Sequence, residues 1–137
     1  MATTYRIEEV EGIGSVYAGK LQAAGVSTTA DLLAKGASPK GRADLEATTG
    51  IAHALILEWV NHVDLMRLDG VGSEYSDLLE AAGVDSPAEL AQRNAANLAQ
   101  TFLELNAARD TVRHVPSETV VAGWIAQAKT LPKIVEH

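Results

Sequence analysis

The stretch 66-MRLDGVGSEYSDLLEAAGV-84 determines the predicted fold, because the same pattern has already appeared at 8-EEVEGIGSVYAGKLQAAGV-26. A shift of 58 residues aligns the two stretches, and so many matches at one offset indicate a tandem duplication. We therefore expect a first repeat over residues 1–65, a second over residues 66–131 and a tail over residues 132–137. The matched pairs are Gly12 and Gly70, Gly14 and Gly72, Tyr17 and Tyr75, Leu21 and Leu79, Ala24 and Ala82, Gly25 and Gly83, and Leu32 and Leu90.

Each repeat contains the same turn signal, which is one apolar residue between two glycines. Glycine reaches positive φ at no steric cost, so this tripeptide suits a tight hairpin between two helices. We expect positive φ at Gly72 and hence a large loss of stability in Gly72→Val. Ser15 and Ser73 are the predicted N-caps of the helices that follow. The predicted hairpin residues are Gly12, Ile13 and Gly14 in the first repeat and Gly70, Val71 and Gly72 in the second.

Start and stop signals predict the other helices. Gly25 and Gly83 stand where a helix C-terminus favours glycine. Thr28 is the predicted cap of a short helix, and the run Ser86-Pro87-Ala88-Glu89 is a capping box with proline at the first helical position. Residues 43–65 are predicted as two helices broken near Gly50, residues 95–115 as one helix, and Ser117 to Lys129 as the last helix. Residues 37–42 are predicted as a loop, and residues 132–137 are predicted as a loosely docked extension.

Composition favours a compact all-α protein. Apolar residues make up 47% of the 137-residue chain and aromatic residues only 4%. The core must therefore consist mainly of Leu, Val, Ile and Ala, which suits closely packed helices. No segment has the alternating pattern of a strand.

Several classes of function are not expected from this sequence. The chain has no cysteine, which excludes disulfides, thiolate metal sites and thiol nucleophiles. It also has no nucleophile-elbow motif and no phosphate-binding P-loop, so we expect no enzyme, no cofactor and no small-molecule substrate. The start MATTYRIEEV lacks an apolar secretory region, and no apolar run reaches the roughly 18–20 residues that span a bilayer. We therefore expect a cytoplasmic protein with no membrane partner.

Most of the chain resembles a known family. The runs 54-ALILEWVNHVDLMRLDGVGSEYSDLLEAAGVDSPAELAQRN-94 and 124-WIAQAKTLPKIV-135 are similar to an uncharacterised bacterial family of tandem helix-hairpin-helix proteins, catalogued as a domain of unknown function. The resemblance implies two helix-hairpin-helix repeats, a DNA-binding ancestry and no established activity. In helix-hairpin-helix proteins, amides of the hairpin and of the next helix's N-terminus contact a DNA phosphate.

The first hairpin is the better candidate for a phosphate contact. It offers Gly12, Gly14 and Ser15, and Lys20 follows about one turn later. The second hairpin lies among carboxylates, which satisfy a helix N-terminus themselves and oppose a phosphate. The alternative is that the glycines only form turns. The acids near the second hairpin are Asp69, Glu74, Asp77 and Glu80.

Two basic clusters are further candidates for binding an anion. They occupy related places in the two repeats, after the third helix, and we expect that they could form one patch. The alternative, which the surrounding acids favour, is a solvated surface that binds nothing. The clusters are Lys35, Lys40 and Arg42 in the first repeat and Arg109, Arg113 and His114 in the second.

Glu58 and His62 stand four residues apart on one predicted helix, with Asp64 close by. That spacing would suit a divalent ion, but no third ligand is evident and the HExxH motif is absent. We therefore expect a hydrogen-bonded surface pair and no metal site.

The aromatic residues have two interpretations. Trp59 and Trp124 could stack on nucleic-acid bases, and Tyr17 and Tyr75 could contact sugars. Their helical phase with neighbouring apolar residues instead favours a place in the core.

The net charge of −7 opposes the long-range attraction of DNA. Residues 1–68 carry 6 basic and 8 acidic groups, and residues 69–137 carry 5 and 10. Two functions therefore remain. The first is a non-catalytic module that contacts the DNA backbone without reading sequence. The alternative is a protein-interaction module that uses its acidic second half, with purely structural hairpins. The oligomeric state does not follow from the sequence.

Overall fold

A computed structural model of the protein describes residues 4–110 and 112–137. Within these ranges the chain is all-α, as the composition predicted, and its extended segments pair only in an isolated bridge between Arg6 and Thr28. None of the described helices combines the length and the apolar character needed to cross a bilayer. After a 3-10 turn at Ile7–Glu9, the helices are α1 (Ser15–Ala23), α2 (Thr29–Gly36), α3 (Pro39–Thr49), α4 (His53–Leu65), α5 (Ser73–Ala81), α6 (Pro87–Leu90), α7 (Ala95–Arg109) and α8 (Glu118–Ala128).

Buried apolar side chains form two hydrophobic cores. The first core lies among the 3-10 turn and helices α1 to α4, and it contains Ile7, Leu21 and Trp59. The second core lies among helices α5 to α8, with Phe102 and Trp124 inside it. Helix α4 packs against α5 and so connects the two cores.

The helices of the two hairpins end alike, as predicted. Gly25 and Gly83 both have φ of 87°, the left-handed conformation that glycine favours at a helix C-terminus. The amide of the following residue then donates to a carbonyl five residues earlier. These closing hydrogen bonds run from Val26 to Leu21 (2.8 Å) and from Val84 to Leu79 (2.9 Å).

The predicted N-caps are partly confirmed. Thr28, Ser86 and Ser117 each accept a hydrogen bond from the backbone amide three residues later. Ser15 and Ser73 were wrongly predicted as caps, because α1 and α5 begin at these residues and the cap positions are the preceding glycines.

The predicted loop over residues 37–42 is instead mostly the first turn of α3. Ser38 caps this helix by accepting a hydrogen bond from the Gly41 amide at 3.0 Å, and Pro39 occupies the first helical position. This is the same Ser-Pro start signal as in α6. A Cβ on Gly41 would lie 2.0 Å from the carbonyl oxygen of Lys35, so the close approach of α3 to the end of α2 requires glycine.

Of two further predicted helix boundaries, one is confirmed and one is wrong. The break near Gly50 is confirmed, since Gly50 has φ of 73° and separates α3 from α4. The helix predicted over residues 95–115 is too long, because α7 ends at Arg109 and Asp110 takes φ of 52°. The Val112 amide then donates to the Asn106 side chain at 2.9 Å, which turns the chain away from the helix axis.

The tail over residues 132–137 is not loosely docked, contrary to the prediction. Val135 is buried in the first core, although the preceding helix belongs to the second. The Glu136 amide donates to the Ala37 carbonyl at 2.7 Å, and the His137 ring lies 2.9 Å from the Asn61 side-chain oxygen. The tail thus crosses back to the first core and connects it to the second.

Candidate functional site

The two hairpins share one backbone geometry. The first glycine of each pair has positive φ, 89° at Gly12 and 86° at Gly70. The second glycine is extended, with φ of −82° at Gly14 and −97° at Gly72. Positive φ was therefore predicted at the wrong glycine in the case of Gly72. The apolar residues between the glycines, Ile13 and Val71, are buried as expected.

A tryptophan covers the first glycine of each hairpin. A Cβ on Gly12 would lie 3.4 Å from the Trp59 indole nitrogen, and a Cβ on Gly70 would lie 3.5 Å from that of Trp124. Both tryptophans are buried and each contacts a tyrosine of its own hairpin helix. The ring centroids lie 5.1 Å apart for Tyr17 with Trp59 and 5.3 Å apart for Tyr75 with Trp124. These tryptophans are therefore core residues, and the core interpretation is confirmed for them.

The N-terminus of α1 is exposed and has no side-chain cap. Gly14 occupies the cap position, and the first turn of the helix contains no acidic residue. Gly14, Ser15 and Val16 are all exposed. Lys20 is exposed one turn later and forms no ion pair among the described residues. Since the first amides of a helix have no intrahelical acceptor, this end can receive an anion.

The N-terminus of α5 is covered by the first half of the chain. The Ser73 hydroxyl accepts a hydrogen bond of 2.6 Å from the Glu11 amide. A Cβ on Gly72 would lie 3.7 Å from the Tyr5 hydroxyl. Glu74 stands in the first turn of the helix. The second hairpin is therefore less accessible than the first, and its acidic residue opposes a phosphate.

The basic cluster of the first half holds the fold together. Arg42 is buried, with its guanidinium donating to the carbonyls of Gly36 (2.8 Å) and Glu136 (2.6 Å). Lys35 donates to the Ala24 carbonyl at 3.0 Å and so caps the C-terminus of α1. Arg93 lies 58 residues after Lys35. It caps the C-terminus of α5 in the same way, by donating to the Gly83 carbonyl at 3.2 Å. Lys40 is exposed and pairs with Asp44 at 3.2 Å.

The basic cluster of the second half is exposed and lies on other elements than the first. Arg109 ends α7, and Arg113 and His114 follow in the irregular segment before α8. Helix α7 packs on α5 and α8, whereas α2 and α3 pack on each other and on α4. No hydrogen bond among the described residues joins the two clusters, so the contacts give no support to a single patch.

A third candidate ligand lies beside Glu58 and His62, and it is Glu80 of α5. Each of the three residues offers one ligand atom, and these atoms lie within 4.8 Å of one another. Nε2 of the buried His62 contacts the Glu80 carboxylate. No sequence pattern indicates Glu80 as a ligand, because only the packing of α4 on α5 brings it there. Asp64 is not part of this cluster, since its carboxylate accepts from Arg67 at 2.8 Å.

Burial and mutual charge shift the pKa values of this region. Partial desolvation of the Glu58 carboxyl, together with the nearby Glu80 carboxylate, raises the pKa of Glu58, although the residue as a whole is exposed. Burial alone would lower the pKa of His62, but the hydrogen bond and the negative charge of Glu80 outweigh it and raise that pKa. Burial also raises the pKa of Asp64 against the attraction of Arg67.

Comparison with known proteins identifies a family. Residues 11–131 match the model of the family described as Domain of unknown function (DUF4332). A search of curated proteins and a search of solved structures found no match. The match covers both Gly-apolar-Gly turns and the eight helices of the described residues, and the chain therefore belongs to this domain family of unknown function.

Proposed function

We propose that the protein is a non-catalytic helix-hairpin-helix module that contacts the DNA phosphate backbone without reading sequence. The observation that carries the proposal is the N-terminus of α1, which is exposed, uncapped by a side chain and free of acids in its first turn. We expect the protein to act in the cytoplasm and to bind no membrane.

The contact is expected to use backbone amides and one side chain. The amides of Ser15 and Val16, in the first turn of α1, would donate to a phosphate placed at the helix N-terminus, where the helix dipole favours negative charge. Lys20 adds a positive charge about one turn beyond Val16, in the last turn of this nine-residue helix. Neither group reads a base, since amides and lysine that contact phosphate carry no sequence information.

The acids near the first hairpin are partly occupied. Glu8 pairs with Arg6 at 2.5 Å, and the Glu9 carboxylate accepts from the Arg6 amide at 2.9 Å. The net charge of −7 nevertheless repels DNA at long range. Binding should therefore be weak, visible at low salt and lost as the salt concentration rises.

The test is fluorescence anisotropy with labelled single-stranded, duplex and branched DNA at low and near-physiological salt. Lys20→Glu should weaken binding at least about tenfold, because one phosphate contact is lost and one acid is added. Lys129→Glu is the matched control, since it makes the same change in charge at an exposed residue of the second half. If both variants lost the same affinity for DNA, the loss would come from the change in net charge alone. That result would contradict a site at the first hairpin.

A protein-interaction module is the second candidate. It is favoured by exposed apolar side chains on two helices that pack together, Leu103 of α7 (53% exposed) and Val120 of α8 (45% exposed). The same half holds 10 acidic and 5 basic residues over residues 69–137, which suits a basic partner. Absence of DNA binding at low salt, with all three DNA forms, would favour this candidate over the first.

A further inference from the structure

We propose that Glu58, His62 and Glu80 form a binding site for a divalent transition-metal ion between α4 and α5. Glu58 and His62 lie one turn apart and so project from the same face of α4. Glu80 projects from the last turns of α5, which packs against that face. The three ligand atoms lie within 4.8 Å of one another, close enough to share one ion.

A second observation points to a ligand at this place. The His62 side chain is only 3% exposed; its Nε2 contacts the Glu80 carboxylate, and its Nδ1 has no hydrogen-bond partner among the described residues. The Glu80 oxygen in this contact is buried as well, and among the described residues it has no partner besides His62. Buried polar atoms are nearly always satisfied, because leaving them unpaired destabilises the fold. An ion held by His62 and the carboxylates would take the place of this direct contact and give the buried imidazole and carboxylate a full set of partners.

The ligand set selects the kind of ion. One imidazole nitrogen and two carboxylate oxygens suit Zn²⁺ and its first-row neighbours, whereas Mg²⁺ and Ca²⁺ prefer oxygen ligands alone. Two carboxylates also balance the double positive charge of the ion, once the His62 imidazole has released its proton to become a ligand. The ion would further relieve the repulsion between Glu58 and Glu80, whose carboxylates lie side by side.

Solvent can reach the site from one side. Glu58 is exposed and Glu80 is partly exposed, and both line a surface groove. Three protein ligands leave at least one coordination position for water, as in open zinc sites. The groove is lined by Ala54, Leu57, Glu58, Asn61, Glu80 and Asp85.

The site would join the two hydrophobic cores. Glu58 and His62 belong to α4, which packs mainly in the first core, and Glu80 belongs to α5 of the second. An ion that binds only the folded arrangement stabilises it by mass action. The melting temperature should therefore rise with Zn²⁺ concentration.

The experiment uses the full chain after treatment with EDTA and buffer exchange. ZnCl2 is titrated by calorimetry, melting temperatures are recorded with and without ZnCl2, and CoCl2 is added to report coordination through its visible absorption. The wild type should bind one equivalent of Zn²⁺ and melt at a higher temperature when it is bound. Glu80→Gln should weaken binding at least about tenfold, since loss of an outer partner alone costs 10- to 100-fold.

Matched controls exist on both helices. Glu74→Gln changes an exposed carboxylate of α5 and His53→Gln changes an exposed histidine of α4, and both variants should bind like the wild type. Should His62→Gln fail to fold, Glu58→Gln tests the same site from its exposed side. The proposal is overturned if the wild type binds no Zn²⁺, or if Glu80→Gln and Glu58→Gln bind it as tightly as the controls do. These outcomes are independent of DNA binding, which involves other residues.

Discussion

Gly70 and Gly72 stand two residues apart in the second hairpin, yet only Gly70 needs to be glycine for conformational reasons. Its φ of 86° lies in the left-handed region, whereas Gly72 has φ of −97° and an extended backbone that any residue adopts. A Cβ on Gly72 would make an ordinary contact, 3.7 Å from the Tyr5 hydroxyl. We expected Gly72→Val to lose stability because of positive φ at Gly72. Since Gly70 has the positive φ instead, that loss is now expected for substitutions of Gly70.

Gly70→Ala should lower the free energy of unfolding by about 1–2 kcal/mol, because a Cβ is disfavoured at positive φ. Gly72→Ala should change it by less than about 0.5 kcal/mol. Urea denaturation of the two variants beside the wild type measures the difference. Equal losses at both positions would contradict the assignment of the turn geometry.

The start of helix α2 is fixed by a reciprocal pair of caps. The Thr28 hydroxyl accepts from the Asp31 amide at 3.1 Å, and the Asp31 carboxylate accepts from the amides of Thr28 (3.2 Å) and Ser27 (3.1 Å). The hydrogen bond from the Ser27 amide is the largest cause that lowers the pKa of Asp31, and it is joined by the bonds from Thr28. The ionised form of Asp31 is therefore favoured by folding.

This shift predicts how the stability of α2 depends on pH. Since the pKa of Asp31 is lower in the folded than in the unfolded state, its contribution is fully present above the unfolded pKa and is lost as the pH falls through the folded pKa. Asp31→Asn should melt at a lower temperature than the wild type at pH 7, and this difference should shrink in acid. Thermal unfolding from pH 7 to about pH 2 measures it.

The control for the pH experiment is Asp44→Asn. Asp44 is an exposed carboxylate whose hydrogen bond among the described residues is to Lys40 and not to a backbone amide. If the wild type melted above Asp31→Asn by the same number of degrees across the acid range, the cap would not depend on the charge of Asp31.

Residues 132–137 connect the two cores. Arg42 of α3 donates to the Glu136 carbonyl at 2.6 Å, across 94 positions in sequence. Arg67 donates to the Pro132 carbonyl at 3.0 Å, and Val135 is buried in the first core. The final residues thus return to the first core after the second core is complete.

Val135→Ala should lower the free energy of unfolding by about 2 kcal/mol, through lost burial and the cavity that remains. Ile134→Ala is the neighbouring control, since Ile134 is 38% exposed, and it should change stability by well under about 1 kcal/mol. Urea denaturation checks both values. If Val135→Ala were as stable as Ile134→Ala, the tail would be loosely docked, as the sequence predicted.

Local and periodic signals in the sequence determined much of this protein. The sequence alone shows the repeat at an offset of 58 residues and the glycines that end α1 and α5. It also shows the capping residues Thr28 and Ser86 and the break at Gly50. Their physical causes act within one or two helical turns, on φ, on capping hydrogen bonds and on the apolar face of a helix. The burial of Trp59 and Trp124 followed from the same helical periodicity.

Only the tertiary structure decided which polar residues are available to a ligand. Arg42 looked like part of an exposed basic loop, but it is buried because carbonyls of the α2 end and of the tail surround its guanidinium. Glu80 looked like one more acid near the second hairpin, yet the packing of α4 on α5 places it beside His62. These contacts join residues far apart in sequence, and their partners depend on how whole helices pack, which no local pattern specifies.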